Sequence, residues 1–331
     1  MHAAFYERTG PAAEVLQLAE VPTPTPGAGQ VRVHLRWSGV NPSDVKSRAG
    51  LRSQAMPFPQ VIPHSDGMGV IDAVGPGVTE ARIGERVWVW NAAWGRPFGT
   101  AADYVVLPQR QAVALPEATP DEAGACLGIP ALTALHTMRM AGGVEGKRVL
   151  VAGGAGAVGH YAIQFARLLG ARQVIATVSS AQKAQIAREA GAGVVIDYRH
   201  EDVAARVREA TEGRGVDRIV EVDIAANARL DLSVLRPGGE CVVYGSGQGE
   251  FTLPFFPLIA NNVSLHFFIV YHLADEDRRA AEAILHEALA AGRLVHRIDE
   301  RLPLAQIAQA HEKVERGEAV GNVVLRVGNE H

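Results

Sequence analysis

"VLVAGGAGAVGHYAIQFA", residues 149–166, decides the fold. A short apolar run suited to a buried parallel strand runs into a cluster of glycines, and a helical pattern follows it to Gly170. Gly154, Gly156 and Gly159 match G-x-G-x-x-G at that junction. The first glycine permits the tight turn, the second lets the backbone approach a pyrophosphate, and the third allows close helix–strand packing. Ala157 and Val158 open the helix, where unsatisfied N–H groups and the positive dipole end favour an anion. Alone the triplet is a weak signal, so its weight depends on what surrounds it.

Outward from the loop, strands and helices alternate. "QVIATV" (173–178), "SSAQKAQIAREAG" (179–191), "GVVIDY", "VAARVREATEG", "VDRIVEV", "NARLDLSVLRPGG" and "ECVVYG" continue the series. Strands separated by helices of this length build right-handed βαβ units and a parallel sheet with helices on both faces. In that setting the triplet reads as a dinucleotide site. The spacing predicts a capping box of Ser179 and Gln182 for the helix that stops at Gly191. Where an NAD site usually carries an acid to grip the ribose, this chain has Ser179 and Ser180, with Lys183 following. Small hydroxyls and a cation suit a 2′-phosphate, so NADPH is the expected cofactor.

Before residue 120 the texture differs. "QVRVHLRWSGV", "GVIDAVG", "ERVWVW" and "ADYVVLP" are short β-rich runs punctuated by Gly and Pro, which suits a compact β-barrel-like unit. After residue 262 come a strand "VSLHFFIV", two helices near 275–291 and 304–316, and a last strand "NVVLRV". The 331 residues suffice for two domains, and a net charge of -4 gives no electrostatic reason to expect nucleic acid. Cys126 and Cys241 are the only cysteines, too few for a disulfide framework. The start "MHAAFYERTG" lacks a signal-peptide pattern, and the apolar stretch 251–270 is broken by Pro254, Pro257, Asn261 and Asn262. A cytoplasmic protein that contacts no membrane is expected.

Together, "SGVNPSDVKSRAG", "HSDGMGVIDAVGPGV", "GTAADYVVLP", "GIPALTALHTM", the glycine loop and "GVDRIVEV…SVLRPGGECVVYGSG" resemble the zinc-free quinone oxidoreductases, the zeta-crystallin-like branch of the medium-chain dehydrogenase/reductase superfamily. The resemblance runs essentially end to end. It implies an α/β protein made of a GroES-like β-rich catalytic domain (1–122 and 263–331) and a Rossmann doubly wound parallel-sheet cofactor domain (123–262). By resemblance, the catalytic zinc ligands of the alcohol dehydrogenases fall at Asn41, Ser65 and Ile129, none a thiolate or imidazole, so no metal is expected. The resemblance assigns Asn41 and Thr133 to orientation and oxyanion contact. It places Gly245 and Ser246 beside the nicotinamide, and Tyr198 either beside the adenosine phosphate or merely at the end of a strand. Phe268 would wall the pocket or be plain core. Asp44 would be structural.

The chain departs from the branch at three places. Lys46 stands where many members carry tyrosine, and either stabilises an enolate or hydroquinone anion or points to water. His64 replaces a common glycine and reads as a proton shuttle or as a satisfied histidine. "IVEVDIAANARL" puts Glu221 and Asp223 in a loop that usually reads Asp-x-x-Gly. The expected activity is NADPH-dependent, zinc-independent reduction of a quinone or conjugated enone. Enoyl-thioester reduction and a non-catalytic, crystallin-like NADPH-binding role are the alternatives. The apolar strand 263–270 would lie at the rim of the cofactor sheet, where an exposed edge invites pairing, and the resemblance implies a homodimer through that edge.

Overall fold

The computed structural model describes residues 1–328. Its contacts separate two units, Met1–Pro130 with the chain from Ala283 onward, and Ala131–Glu282. The first unit opens with β1 (His2–Phe5), α1 (Ala12–Val15), β2 (Gln17–Glu20), β3 (Gln30–Val40), α2 (Pro42–Arg48), β4 (Asp66–Val74), β5 (Arg86–Val89), β6 (Tyr104–Pro108), β7 (Ala112–Ala114) and α3 (Asp121–Gly124). The second unit runs from α4 (Leu132–Arg139) through β8 (Arg148–Val151), α5 (Ala157–Leu168), β9 (Gln173–Val178), α6 (Ala181–Glu189), β10 (Val194–Asp197) and α7 (Val203–Ala210). It continues with β11 (Val216–Glu221), α8 (Ile224–Val234), β12 (Leu235–Val243), α9 (Phe255–Ala260), β13 (Ser264–Phe267) and the first part of α10 (Asp275–Ala290). β14 (Ile298–Pro303), α11 (Ile307–Glu315) and β15 (Asn322–Arg326) return to the first unit.

In the first unit β3 organises a seven-stranded sheet of order β14-β15-β3-β4-β5-β7, with β6 also on β3. Val31, Val33 and Leu35 alternate inward along β3 and are buried, which is the period-two pattern read from the sequence. One edge of β3 pairs with β4; the other pairs with β6 over its first half and β15 over its second. The core gathers these residues with Ile71, Leu107 and Leu325.

The second unit is a six-stranded sheet of order β10-β9-β8-β11-β12-β13, every neighbour parallel. The strand order reverses between β8 and β11, which opens a crevice at the carboxyl ends of the strands. Both junctions differ from 122/123 and 262/263. α3 packs on β3 and β4, which keeps the chain to Pro130 with the β-rich unit. β13 completes its hydrogen bonds on β12, so the chain stays with the parallel sheet to Glu282. The cap of α6 is Ser180, whose Oγ accepts from the Lys183 N–H, not Ser179. The strand runs on to Val178 and Ser180 is extended, which delays the helix by one residue. Among the described residues no helix is long and apolar enough to cross a membrane.

Arg218 is fully buried on β11. Its guanidinium donates to the Thr137 and Met140 carbonyls at 2.7 and 2.6 Å, at the negative end of α4, and pairs with Glu240 at 2.8 Å. Removing one partner of such a pair strands the other charge. Arg218→Met is expected to lower the unfolding free energy by about 3 kcal/mol in urea denaturation; an unchanged midpoint and slope would contradict this role.

Candidate functional site

All the cofactor residues expected from the sequence lie at the carboxyl-terminal edge of the parallel sheet. Gly154, Gly156, Ala157, Val158 and Gly159 follow β8, Ser179, Ser180 and Lys183 follow β9, and Tyr198 follows β10. Gly245 and Ser246 follow β12 and Phe268 follows β13. The three loop glycines differ in what a side chain would meet. A Cβ on Gly159 would lie 2.2 Å from the Gly153 carbonyl oxygen, and one on Gly154 would lie 2.7 Å from the Ala176 methyl. Those two are packing requirements. The left-handed residue of the turn is Gly153 (φ +68°), just outside the triplet. Around Gly156 the nearest atom is the Gly153 carbonyl oxygen at 3.3 Å, and Gly156, Ala157 and Val158 are the half-exposed part of the loop. Gly156 caps α5, so the first N–H groups of that helix face outward without intrahelical acceptors. The loop fits a dinucleotide pyrophosphate.

Beside it, Lys183 is half-buried and makes no ion pair among the described residues. Tyr198 is half exposed, its N–H bonded to the Val178 carbonyl at 3.0 Å. Tyr198 lines a cavity of about 520 Å³ with Gly153, Thr177, Asn227, Glu221 and Asp231. Ser179, Ser180 and Lys183 lie outside that cavity. At its floor Glu221 and Asp231 face each other, both buried. Glu221 accepts from the Asp223 N–H and from Asn227 Nδ2 (3.0 Å), and burial together with the facing Glu221 holds Asp231 protonated at neutral pH. The sequence points to Glu221 only as a departure and to Asp231 not at all, because their meeting requires β11 and α8 to pack. Gly245 is the close approach between the ends of β12 and β11, and the Ser246 Oγ donates to the Gln248 carbonyl at 2.7 Å.

Thr133 is buried in α4, but its hydroxyl has no hydrogen-bond partner among the described residues. Three residues on, and so on the same helix face, His136 meets the Phe268 ring edge-on at 4.7 Å. Phe268 is half-buried, with its ring against His136. His136 is pushed below the ordinary imidazole range by burial, and only the helical spacing in "TALHTM" hints at it.

In the first unit α2, Pro42–Arg48, follows directly on the end of β3. Asn41 is the N-cap of α2, Pro42 occupies its first position, and Asp44 closes a capping box by accepting the Asn41 N–H at 2.9 Å. Asp44 is therefore structural here, and burial pushes its carboxyl up to about 7 against that hydrogen bond. Lys46 is half-buried on α2. Asn41 Nδ2 donates to Asp66 Oδ2 at 2.9 Å, and the Ile129 N–H donates to the same oxygen at 3.0 Å. Asp66 thus ties together two of the three positions expected to hold metal ligands in zinc-dependent relatives, and it adjoins the third, the buried Ser65. Among the described residues no three His, Cys, Asp or Glu side chains gather as a metal site.

Residues 27–117 match the alcohol dehydrogenase GroES-like domain, and 157–287 match the zinc-binding dehydrogenase domain. A quinone oxidoreductase of Pseudomonas aeruginosa is 32% identical over 317 residues, 94% of this chain and 95% of that one. The 2-haloacrylate reductase of a Burkholderia species is 31% identical, with 98% of each chain covered. The chain belongs to the quinone oxidoreductase branch of the medium-chain dehydrogenase/reductase superfamily. A solved NAD-dependent alcohol dehydrogenase superposes with a TM-score of 0.91 (31% identity, 99% of this chain and 100% of that one). The Escherichia coli quinone oxidoreductase complexed with NADPH superposes with a TM-score of 0.87 (27% identity, 98% and 100%). The stretch matched to the zinc-binding domain, 157–287, contains none of Asn41, Ser65 or Ile129.

The branch's glycine at position 64 has a physical reason, since His64 sits at φ +76°, in the left-handed region. Its imidazole is fully buried and both ring nitrogens are engaged. Thr100 Oγ1 donates to the Asp66 carbonyl at 2.5 Å, which uses its one hydrogen. Ser38 must then donate to Thr100 across 2.8 Å, and His64 Nδ1 must donate to Ser38 across 2.8 Å. His64 Nε2 is left as the acceptor for His311 Nε2 at 2.8 Å. The histidine is a satisfied core residue. Burial lowers His64 to about 3, and burial, then His64 and Arg48, lower His311 well below the ordinary value. Below pH 6.5 the unfolded chain binds protons that the folded one does not, so stability present above 6.5 is lost as pH falls toward about 3. Melting temperatures across that window are expected to fall steeply. His64→Asn, which tolerates the left-handed backbone, should remove about half of the slope. An unaltered slope would show that other groups set it.

Proposed function

We propose that this chain is an NADPH-dependent reductase of quinones and conjugated enones that works without a metal ion. The observation carrying this reading is the set of groups at the three expected ligand positions: a neutral amide, a hydroxyl and an isoleucine, with the amide tied to Asp66. Zinc needs thiolate, imidazole or carboxylate donors in tetrahedral array, which these residues do not form. The activities named for the two curated relatives, on a quinone and on a haloacrylate, fall in the same class of electrophilic conjugated acceptors.

Reduced nicotinamide, when bound, supplies the hydride. The residues of this chain bind, orient and compensate charge. The loop Gly154–Gly159 with the α5 N–H groups takes the pyrophosphate, and Lys183 with Ser179 takes the 2′-phosphate. Gly245, Ser246 and Phe268 bound the nicotinamide side. Asn41 and Thr133 supply neutral hydrogen-bond donors to the oxyanion that forms on the acceptor. Lys46 supplies positive charge for an enolate or hydroquinone anion, and water returns the proton.

The second copy expected from the sequence belongs to this reading. β13 is the edge strand of the parallel sheet and leaves Phe267 55% exposed, and Phe255 and Phe256 of α9, the helix before it, are 74% and 76% exposed. Aromatic surface of that extent beside an unpaired strand edge suits strand-to-strand pairing of two copies. Phe256→Asp is expected to yield a monomer by light scattering; a wild-type monomer would remove the homodimer.

One anaerobic screen tests the activity. NADPH oxidation is expected with 1,4-benzoquinone and 2-cyclohexenone and to be slower with NADH, while preference for crotonyl thioesters would move the enzyme to enoyl-thioester reduction. Lys183→Ala should raise the NADPH KM about tenfold or more and leave the NADH KM unchanged, because a charge-assisted phosphate contact is worth about 1.5–3 kcal/mol. Equal effects on both coenzymes would reject the 2′-phosphate assignment. Lys46→Ala should slow acceptor turnover and leave NADPH affinity alone.

A further inference from the structure

We propose that Asp231 is a positioning residue for the coenzyme, acting through Glu221 and Asp223 on the turn Gly245–Gly247. The inference rests on the coenzyme reading above, in which that turn bounds the nicotinamide side. Glu221 ends β11 and Asp231 lies on α8, and they are 0% and 3% exposed. Their side chains are hydrogen-bonded to each other, which two carboxyl groups achieve only with a proton between them. Glu221 also accepts from the Asp223 N–H and from Asn227 Nδ2 at 3.0 Å. Those two donors favour its charged form, so Glu221 is the anion and Asp231 the acid that donates to it. Burial, and then the Glu221 charge, push Asp231 up to about 9.

The anion in turn fixes the start of α8 against the end of the next strand. Asp223 caps α8, and its Oδ1 accepts the Gly247 N–H at 2.7 Å. The Ile224 N–H donates to the Gly245 carbonyl at 3.3 Å. The approach is close on both sides. A Cβ on Gly247 would lie 2.8 Å from Asp223 Oδ2, and one on Gly245 would lie 2.2 Å from the Val222 carbonyl oxygen. The Asp231 proton therefore holds Glu221, Glu221 holds the Asp223 backbone, and Asp223 holds the turn. Asp223 faces the pair from its own loop, Glu201 and Tyr198 from across the cavity, and Cys241 and Tyr244 from β12 and the residue after it. Arg206 of α7, which packs on α8, is engaged by Glu201 at 2.9 Å. Above about 9 the pair carries two charges that repel, so coenzyme affinity present at neutral pH is lost as pH rises.

Coenzyme binding across pH tests the inference, read from the fluorescence of NADPH titrated with the protein. The wild-type Kd is expected to rise about tenfold from about pH 7.5 to about pH 10, because one proton released near 9 costs about a factor of ten per pH unit beyond it. Asp231→Asn gives Glu221 an amide N–H and cannot ionise. Its Kd should match the wild type at about pH 7.5 within about threefold and stay level to about pH 10. Titration at the phosphate end is common to both proteins and cancels in the comparison. Glu221→Gln, which removes the repulsion from the other side, should also level the profile and carries the test if Asp231→Asn does not fold. A level wild-type profile, or the wild-type slope in both folded variants, would overturn the inference. A second readout needs no coenzyme. In Asp231→Leu, which strands the Glu221 charge, the Asp223 and Gly247 amides should exchange with deuterium about tenfold faster, with β8–β10 unchanged. Unchanged exchange at Gly247, or faster exchange throughout the sheet, would overturn the positioning role. Failure of the wild type to bind NADPH at any pH would remove the coenzyme reading and the inference with it, a result distinct from binding with an unaltered slope.

Discussion

A carboxylate taken out of water must be surrounded by donors, and Asp66 draws them from segments that the sequence keeps far apart. One is Asn41, where β3 ends and α2 begins; the other is Ile129, in the wide turn Leu127–Ala131. Asp66 is also the first residue of β4, which pairs with β3 from Gly39 back to Val31. The end of one strand, the start of its neighbour, a helix cap and a turn are thus referred to a single charge. An unpaired anion there would cost several kcal/mol, so the local geometry has little freedom.

Behind that charge, hydrogen bonds run one way. His311 donates to His64, His64 to Ser38, Ser38 to Thr100, and Thr100 to the Asp66 carbonyl. Donors aligned head to tail polarise one another, so the last member is a better donor than an isolated hydroxyl. The chain begins at His311, whose Nδ1 is buried with no partner among the described residues. Its neutrality is therefore needed twice, for the ring's own burial and for the direction of every bond after it. The parallel-sheet unit solves the same problem differently. There Glu221 and Asp231 share their burial by keeping one proton between them.

The cofactor sheet was legible because its signals are local. Glycines, apolar runs and helix stops recur at short range, and they place β8, α5 and β9 to within a residue or two. The displacement of a cap from Ser179 to Ser180 shows where that legibility ends, since strand pairing and not the cap decides where the helix begins. Asn41-Pro42-Ser43-Asp44 is a readable signal too, a capping pattern whose members are adjacent in the chain. Asp66, His311 and the Glu221–Asp231 pair were not legible as partners. Each depends on residues brought together by sheet pairing or by helices packing across strands, and no spacing along the chain encodes such a meeting.

The division of the chain bears on how the protein is made. Ala131–Glu282 is one continuous stretch, whereas the β-rich unit is interrupted by it and closes only when β15 pairs with β3. During synthesis β3 emerges before β15 and keeps part of one edge open until β15 leaves the ribosome. The parallel sheet can fold meanwhile, because its strands are already present. His311, too, follows the parallel sheet, so His64 waits for its partner until that sheet has been made. The segment most exposed to mispairing is therefore the second half of β3, from Trp37 to Val40, which leads directly into Asn41.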